Sequence, residues 1–86
     1  MTAIVVDRNG QPVKVGTRVR VIEIAEFLKR DLPPEEVAEL VTMVDEVFEV
    51  YDIDEYGAAW VEKVWYAPDG QRSHSLALDA HEMEVA

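Results

Sequence analysis

Apolar positions recur along the chain in short runs, with a period that switches from two to about 3.6 and back. Ile4-Val5-Val6 is a short β-rich run, and Val13-Lys14-Val15 alternates. Between them lies Asn9-Gly10, the dipeptide of a type I′ hairpin turn, which needs positive φ at both central residues. Arg18 to Ile24 reads as a strand whose phase shifts. Val19 and Val21 share one face, Ile22 and Ile24 the other, which implies a bulge or burial on both faces. Glu26 to Leu32 leads away and suggests a helical turn. Then Val37, Leu40, Val41 and Val44 fall at i, i+3, i+4 and i+7, one face of an α-helix. Pro33-Pro34 suits its first turn, and Glu35 and Glu36 meet the positive end of its dipole. The pattern predicts a helix over about 34–44.

The second half returns to period two. Glu46 to Ile53 predicts a strand with apolar residues on both faces, one for a core and one for a cover by the helix. Ala59 to Tyr66 predicts the next strand. Ala59, Val61 and Trp65 lie on one face; Trp60, Glu62, Val64 and Tyr66 lie on the other. Pro68-Asp69-Gly70 predicts a hairpin turn, since proline pre-sets φ and glycine supplies a positive one. Ser73 to Leu78 predicts a strand, Asp79-Ala80-His81 a single helical turn, and Met83-Glu84-Val85 a last strand.

Composition narrows the setting. At 86 residues the chain falls below the usual ~100–150 of one domain, so residues 1–86 are expected to form a single domain. With no cysteine, no disulfide, thiolate metal site or cysteine nucleophile is available. A domain this small without disulfide staples points to a reducing cytoplasm. The start, Met1 to Asp7, lacks a basic region and a long apolar run, so no signal peptide is expected. No apolar run approaches the ~18–20 residues of a membrane span.

The net charge of −10 opposes general binding to nucleic acid or anionic lipid. It is unevenly divided. Residues 1–30 hold six bases and three acids, a net +3; residues 31–86 hold two bases and fifteen acids, a net −13. Within one folded unit this predicts basic early strands opposite acidic later ones.

Three stretches carry a resemblance: Val15-Gly16-Thr17-Arg18-Val19-Arg20-Val21, then Glu46-Val47-Phe48-Glu49-Val50, then Ser75 to Val85 with its Leu78-Asp79-Ala80-His81-Glu82-Met83-Glu84-Val85 ending. Together they look like an SH3-like β-barrel, with a Gly-x-x-Val-x-Val opening and a 3₁₀ turn before the closing strand. The chain resembles small bacterial proteins of unknown function with that fold. The resemblance implies an all-β barrel of five to six strands, with the helix of about 34–44 inserted in the first long loop. It implies no activity and no cofactor. Ribosomal SH3-like motifs usually place glycine where this chain has Asp45. Signalling SH3 domains carry Ala-Leu-Tyr-x-Tyr and Pro-Ser-Asn-Tyr motifs, which are absent.

Little catalytic chemistry is expected. Asp52, Asp54 and Glu55 lack the alternating oxygen spacing of a calcium loop. His74 and His81, seven apart across a strand and a turn, lack metal-ligand spacing, and His74 is expected to pack at the barrel rim. Neighbours Ser73, His74 and Ser75 alternate between faces, so no nucleophile–base pair forms among them. The four glycines are isolated, so no phosphate loop exists. The expectation is no catalytic residue, no metal, no cofactor and no activity for the chain alone.

Aromatics are more informative. Phe48, Tyr51, Tyr56, Trp60, Trp65 and Tyr66 fall within residues 48–66. One set is expected to enter the core, and the other either packs under the inserted helix or faces water; core and helix packing accounts for most of them. Exposed Trp and Tyr beside carboxylates make a protein-binding surface, because these rings dominate interface hot spots. The candidate residues are Tyr56, Trp60, Tyr66, Asp54 and Glu55, for a protein partner or self-association. Alternatives are an accessory subunit of an enzyme complex, or nucleic-acid binding through Arg18, Arg20, Lys29 and Arg30.

Overall fold

The computed structural model describes residues 4–86, with the backbone alone at Ala67. The part of the expected signal-free start that falls on Met1–Ala3 lies outside the described residues. Six strands form two three-stranded antiparallel sheets. The first has the order β2-β1-β6, with β1 at Arg18–Val21, β2 at Val47–Glu49 and β6 at Met83–Val85. The second has the order β3-β4-β5, with β3 at Asp52–Ile53, β4 at Ala59–Ala67 and β5 at Gly70–Leu78. Helices α1 (Glu26–Asp31) and α2 (Pro34–Val41) follow β1, and one 3₁₀ turn, Ala80–Glu82, precedes β6. The chain is therefore mainly β.

The expected barrel of five to six strands does not close: no ladder joins the two sheets among the described residues. The cause lies at Val50 and Tyr51. The predicted strand over 46–53 breaks there, giving its first half to β1 and its second to β4. The Val50 N–H donates to the Thr17 carbonyl at 2.9 Å, while the Tyr51 N–H donates to the Trp60 carbonyl at 3.0 Å. Segments of three and two residues are too short to carry one ladder round that corner.

The core lies between the sheets. Val19, Val21, Val50, Ala59, Val61, Leu78, Met43 and Met83 are fully buried, joined by Val5, Val13, Ile24, Leu40 and Leu76. Of the two faces expected for β4, the one that carries Ala59 and Val61 is therefore the inward one. Trp65, on the same face, only partly packs on the core. Opposite the core, β1 turns Arg18 and Arg20 outward, directly across from Glu49 and Glu84. Basic early residues do face acidic later ones there, although the Arg20 guanidinium donates to the Asp45 carbonyl at 2.8 Å instead.

Helix α2 starts where the proline signal put it but ends three residues early. From Thr42 on, the backbone N–H groups reach back only three residues, to Glu39, Leu40 and Val41. The Thr42 hydroxyl also donates to the Glu39 carbonyl at 2.6 Å, competing with the helical pattern. Asp45, with φ of 71°, then stops the chain, and its N–H donates to the Val21 carbonyl at 2.7 Å. This turn buries Met43 and leads the chain back to the end of β1, while Val41 faces water. The strand expected over 18–24 likewise stops at Val21, where Ile22 leaves β1 to donate its N–H to the Glu82 carbonyl.

Candidate functional site

Two turns share one construction. In Asp7-Arg8-Asn9-Gly10-Gln11, Asp7 Oδ1 accepts the N–H groups of Asn9 and Gln11, each at 2.8 Å. In Asp54-Glu55-Tyr56-Gly57-Ala58, Asp54 Oδ1 accepts those of Tyr56 and Ala58, each at 2.9 Å. Gly10 and Gly57 have φ of 81° and 82°, and each donates its N–H to the aspartate carbonyl three residues back. The first turn is therefore not type I′, because Asn9 keeps negative φ and only glycine goes positive. The repeated Asp-x-x-Gly is the sequence signal for both turns, and it lies outside the dipeptide rule that pointed to Asn-Gly.

The second carboxylate oxygens differ in use. Asp7 Oδ2 accepts the Val85 N–H at 2.7 Å. Burial pushes the Asp7 carboxyl up, but the Val85, Gln11 and Asn9 N–H groups outweigh it and hold it below the ordinary range. Asp54 Oδ2 accepts the Trp60 indole N–H at 3.0 Å. The Ala58 N–H and then the Trp60 indole hold the Asp54 carboxyl below its ordinary value, against a smaller opposing effect of burial.

Asp54, Tyr56 and Trp60 are thus brought together, with Glu55 exposed on the same turn. Asp54 acts as the turn's internal acceptor and orients the Trp60 ring. Tyr56 is 87 % exposed. Tyr66 does not join them. It shares the outer face of β4 with Trp60 but lies six residues on, roughly 20 Å along the strand, and is 82 % exposed near the hairpin tip. Of the basic residues, Arg18 and Arg20 sit on β1, while Lys29 and Arg30 occupy the last turn of α1, where Lys29 pairs with Glu26 at 3.5 Å.

Trp60 borders a feature that residue reading missed. A groove of about 380 Å³ runs between α1 and the second sheet, lined chiefly by Phe27, Leu28, Trp60, Ser75, Ala77 and Asp79. Phe27 is 56 % exposed there, while Leu28 also touches the core. The apolar pair Phe27-Leu28 lies on a helix of six residues, too short for its spacing to show which face meets the sheet. Glu82 also lines the groove, although it is only 4 % exposed. Burial pushes its carboxyl above the ordinary glutamate value. The Asp79 N–H, donated to Glu82 Oε1 at 2.8 Å, pulls back only in part. The groove wall thus joins two aromatic rings to two carboxylates.

At the far end of the β4–β5 hairpin, α2 is tied down by charge. Glu39 accepts from His74 Nε2 at 2.6 Å and pairs with Arg72. The His74 ring stands edge-on to Trp65, with centroids 5.5 Å apart. Lys63 lies over the same indole and pairs with Glu46. His74 thus packs at a rim, against helix rather than barrel. A second, apolar groove of about 290 Å³ is lined by Ile4, Val5, Pro12, Val13, Lys14, Val15 and Ile53. Among the described residues no group of three or more His, Asp or Glu is placed to hold a metal ion, and no helix is long and apolar enough to cross a membrane.

Comparison of the chain with protein-family models, curated proteins and solved structures finds no match.

Proposed function

We propose that the chain is a protein-interaction module that takes a short segment of a partner into the groove between α1 and the second sheet. One observation carries this reading: exposed Phe27 and half-buried Trp60 share a groove with the carboxylates of Asp79 and Glu82. Aromatic anchors beside acids suit an apolar segment flanked by lysine or arginine. The groove is small. Two or three anchored side chains supply about 2 kcal/mol each, against association costs of similar size, so micromolar or weaker binding is expected. Asp54 serves by fixing the Trp60 ring, and Tyr56 lies next along the turn.

In the same reading the fold is an SH3-like barrel left open along a seam. Its support is the segment Val47–Ile53, which serves both sheets, and the 3₁₀ turn before β6. The helical pair α1–α2 occupies the first long loop, and α1 supplies one wall of the groove.

The test is selection from a random displayed-peptide library on the immobilised chain, followed by amide-shift mapping. Basic, apolar peptides that move Phe27, Leu28, Trp60, Ala77 and Asp79 are expected. Phe27→Glu should weaken them at least tenfold without altering Tm, since Phe27 is more than half exposed. Peptides that map elsewhere, or that bind Phe27→Glu equally well, would overturn the reading.

A further inference from the structure

The groove has a bare strand along one side. Strand β5 runs nine residues, Gly70–Leu78, and pairs with β4 alone. Because the Trp60 carbonyl accepts from Tyr51, the backbone groups of Trp60 turn towards β3. The pair Trp60↔Ala77 is therefore of the type without mutual hydrogen bonds, and so are Glu62↔Ser75, Val64↔Ser73 and Tyr66↔Gln71. It follows that Gln71, Ser73, Ser75 and Ala77 point their N–H and C=O groups away from β4. None of these groups has a backbone partner outside β4 among the described residues. Natural sheets guard such edges with lysine, proline or a bulge. These four positions carry only Gln, Ser, Ser and Ala.

The edge and the groove coincide: Ser75, Leu76 and Ala77 line it consecutively, opposite Phe27 and Leu28 of α1. We infer that β5 accepts an added strand, an extended and positively charged segment of another protein whose backbone completes the β5 edge while alternate apolar side chains enter the groove. This rests on the interaction reading above and adds its geometry, in which main-chain hydrogen bonds supply affinity and the groove supplies selection. Charge chooses the occupant. Exposed Glu62 and Asp79 border the strand, within a segment 31–86 of net −13. A second copy would set that same charge against itself, whereas a basic segment is drawn to it.

The test uses the full chain and two capped ten-residue probes, one alternating lysine with valine and one alternating glutamate with valine. On adding the lysine peptide, the Ser73, Ser75 and Ala77 amides should gain at least tenfold protection from hydrogen exchange. N-methylating the peptide at alternate residues should cost at least tenfold in affinity in one phase and little in the other. Ser75→Pro removes an outward N–H without touching the β4 ladder and should lower affinity as well. Shifts at Phe27, Leu28 and Trp60 without edge protection would overturn strand addition while leaving groove docking intact. Edge protection that appears without peptide and grows with protein concentration would assign the edge to a second copy and overturn the proposal. Equal binding of the glutamate peptide, or no binding of either, would also overturn it.

Discussion

The carboxylate of Asp7 accepts the backbone N–H of Val85 at 2.7 Å and so joins two ends of the fold 78 positions apart. The same group closes the first turn through Asn9 and Gln11. Replacing it by alanine leaves three part-buried donors, the N–H groups of Asn9, Gln11 and Val85, without their acceptor. Asp7→Ala should therefore cost about 3 kcal/mol, a large share of the roughly 4–13 kcal/mol expected for 86 residues. Asp7→Asn keeps an oxygen for the turn but sets an amide N–H2 against the Val85 N–H, and should fall between. Chemical denaturation checks the order. The pH arm follows from the lowered carboxyl. Its contribution is complete above the ordinary aspartate range and is lost as pH falls through the lowered value. Wild type should lose more stability than Asp7→Asn between neutrality and about pH 3.

Glu82 titrates with the opposite sign. Its carboxyl is raised by burial, so protonation is more favourable in the native state than in the unfolded chain. That stability is present below the ordinary glutamate value and is lost as pH climbs through the raised one. Glu82→Gln keeps an oxygen for the Asp79 N–H and removes the buried charge. The variant should melt at a higher temperature than wild type near neutrality. The gain should vanish at about pH 3, where both side chains are neutral. A gain that persists in acid would place its cause outside the titration.

Asp54 divides its work between a turn and a ring. Asp54→Ala should speed hydrogen exchange at the Tyr56 and Ala58 amides, both of which it accepts. It should also shift the Trp60 indole N–H resonance, since that proton loses its acceptor. Asp54→Asn should rescue the two amides through its oxygen and leave the indole facing an N–H2 group. Two-dimensional NMR on the three proteins separates the roles. If Asp54→Asn restores the indole resonance, Oδ2 is not its anchor.

Val61 is wholly buried between the sheets. An aspartate there loses the apolar contact and buries an unpaired charge, at a cost of about 5 kcal/mol. In a fold with so small a core Val61→Asp should abolish the cooperative melting transition, while Val64→Asp on the other face of β4 should leave it in place. Circular dichroism on heating distinguishes them.

Much of this architecture is legible in residue order because local chemistry agrees with packing. Pro34 with Glu35 and Glu36 marks the start of α2. The alternation around Val61 gives the face of β4, and Pro68-Asp69-Gly70 gives its hairpin. The end of α2 was not legible, since Val44 continues the helical stripe while the Thr42 hydroxyl and the positive φ of Asp45 break the backbone beneath it. The break at Val50 and Tyr51 was hidden for a related reason: alternation runs on through a corner that only the partners of the two N–H groups reveal. For the candidate site, Trp60 and the Asp54 turn were readable as an aromatic beside acids. Phe27 and Leu28 were not, because a six-residue helix carries too little periodicity to declare which of its faces meets a sheet.

The bond between Asp7 and Val85 also bears on the order in which the fold is expected to assemble. Strand β1 must wait between β2, met early, and β6, met last. The β4–β5 ladder, closed over two residues at Pro68 and Asp69, needs no distant help. Closing a short loop is fast and long-range pairing is slow, so the β4–β5 hairpin is expected to form before β1 meets β6. The turn at Asp7 is then expected to gain its last partner only when Val85 arrives.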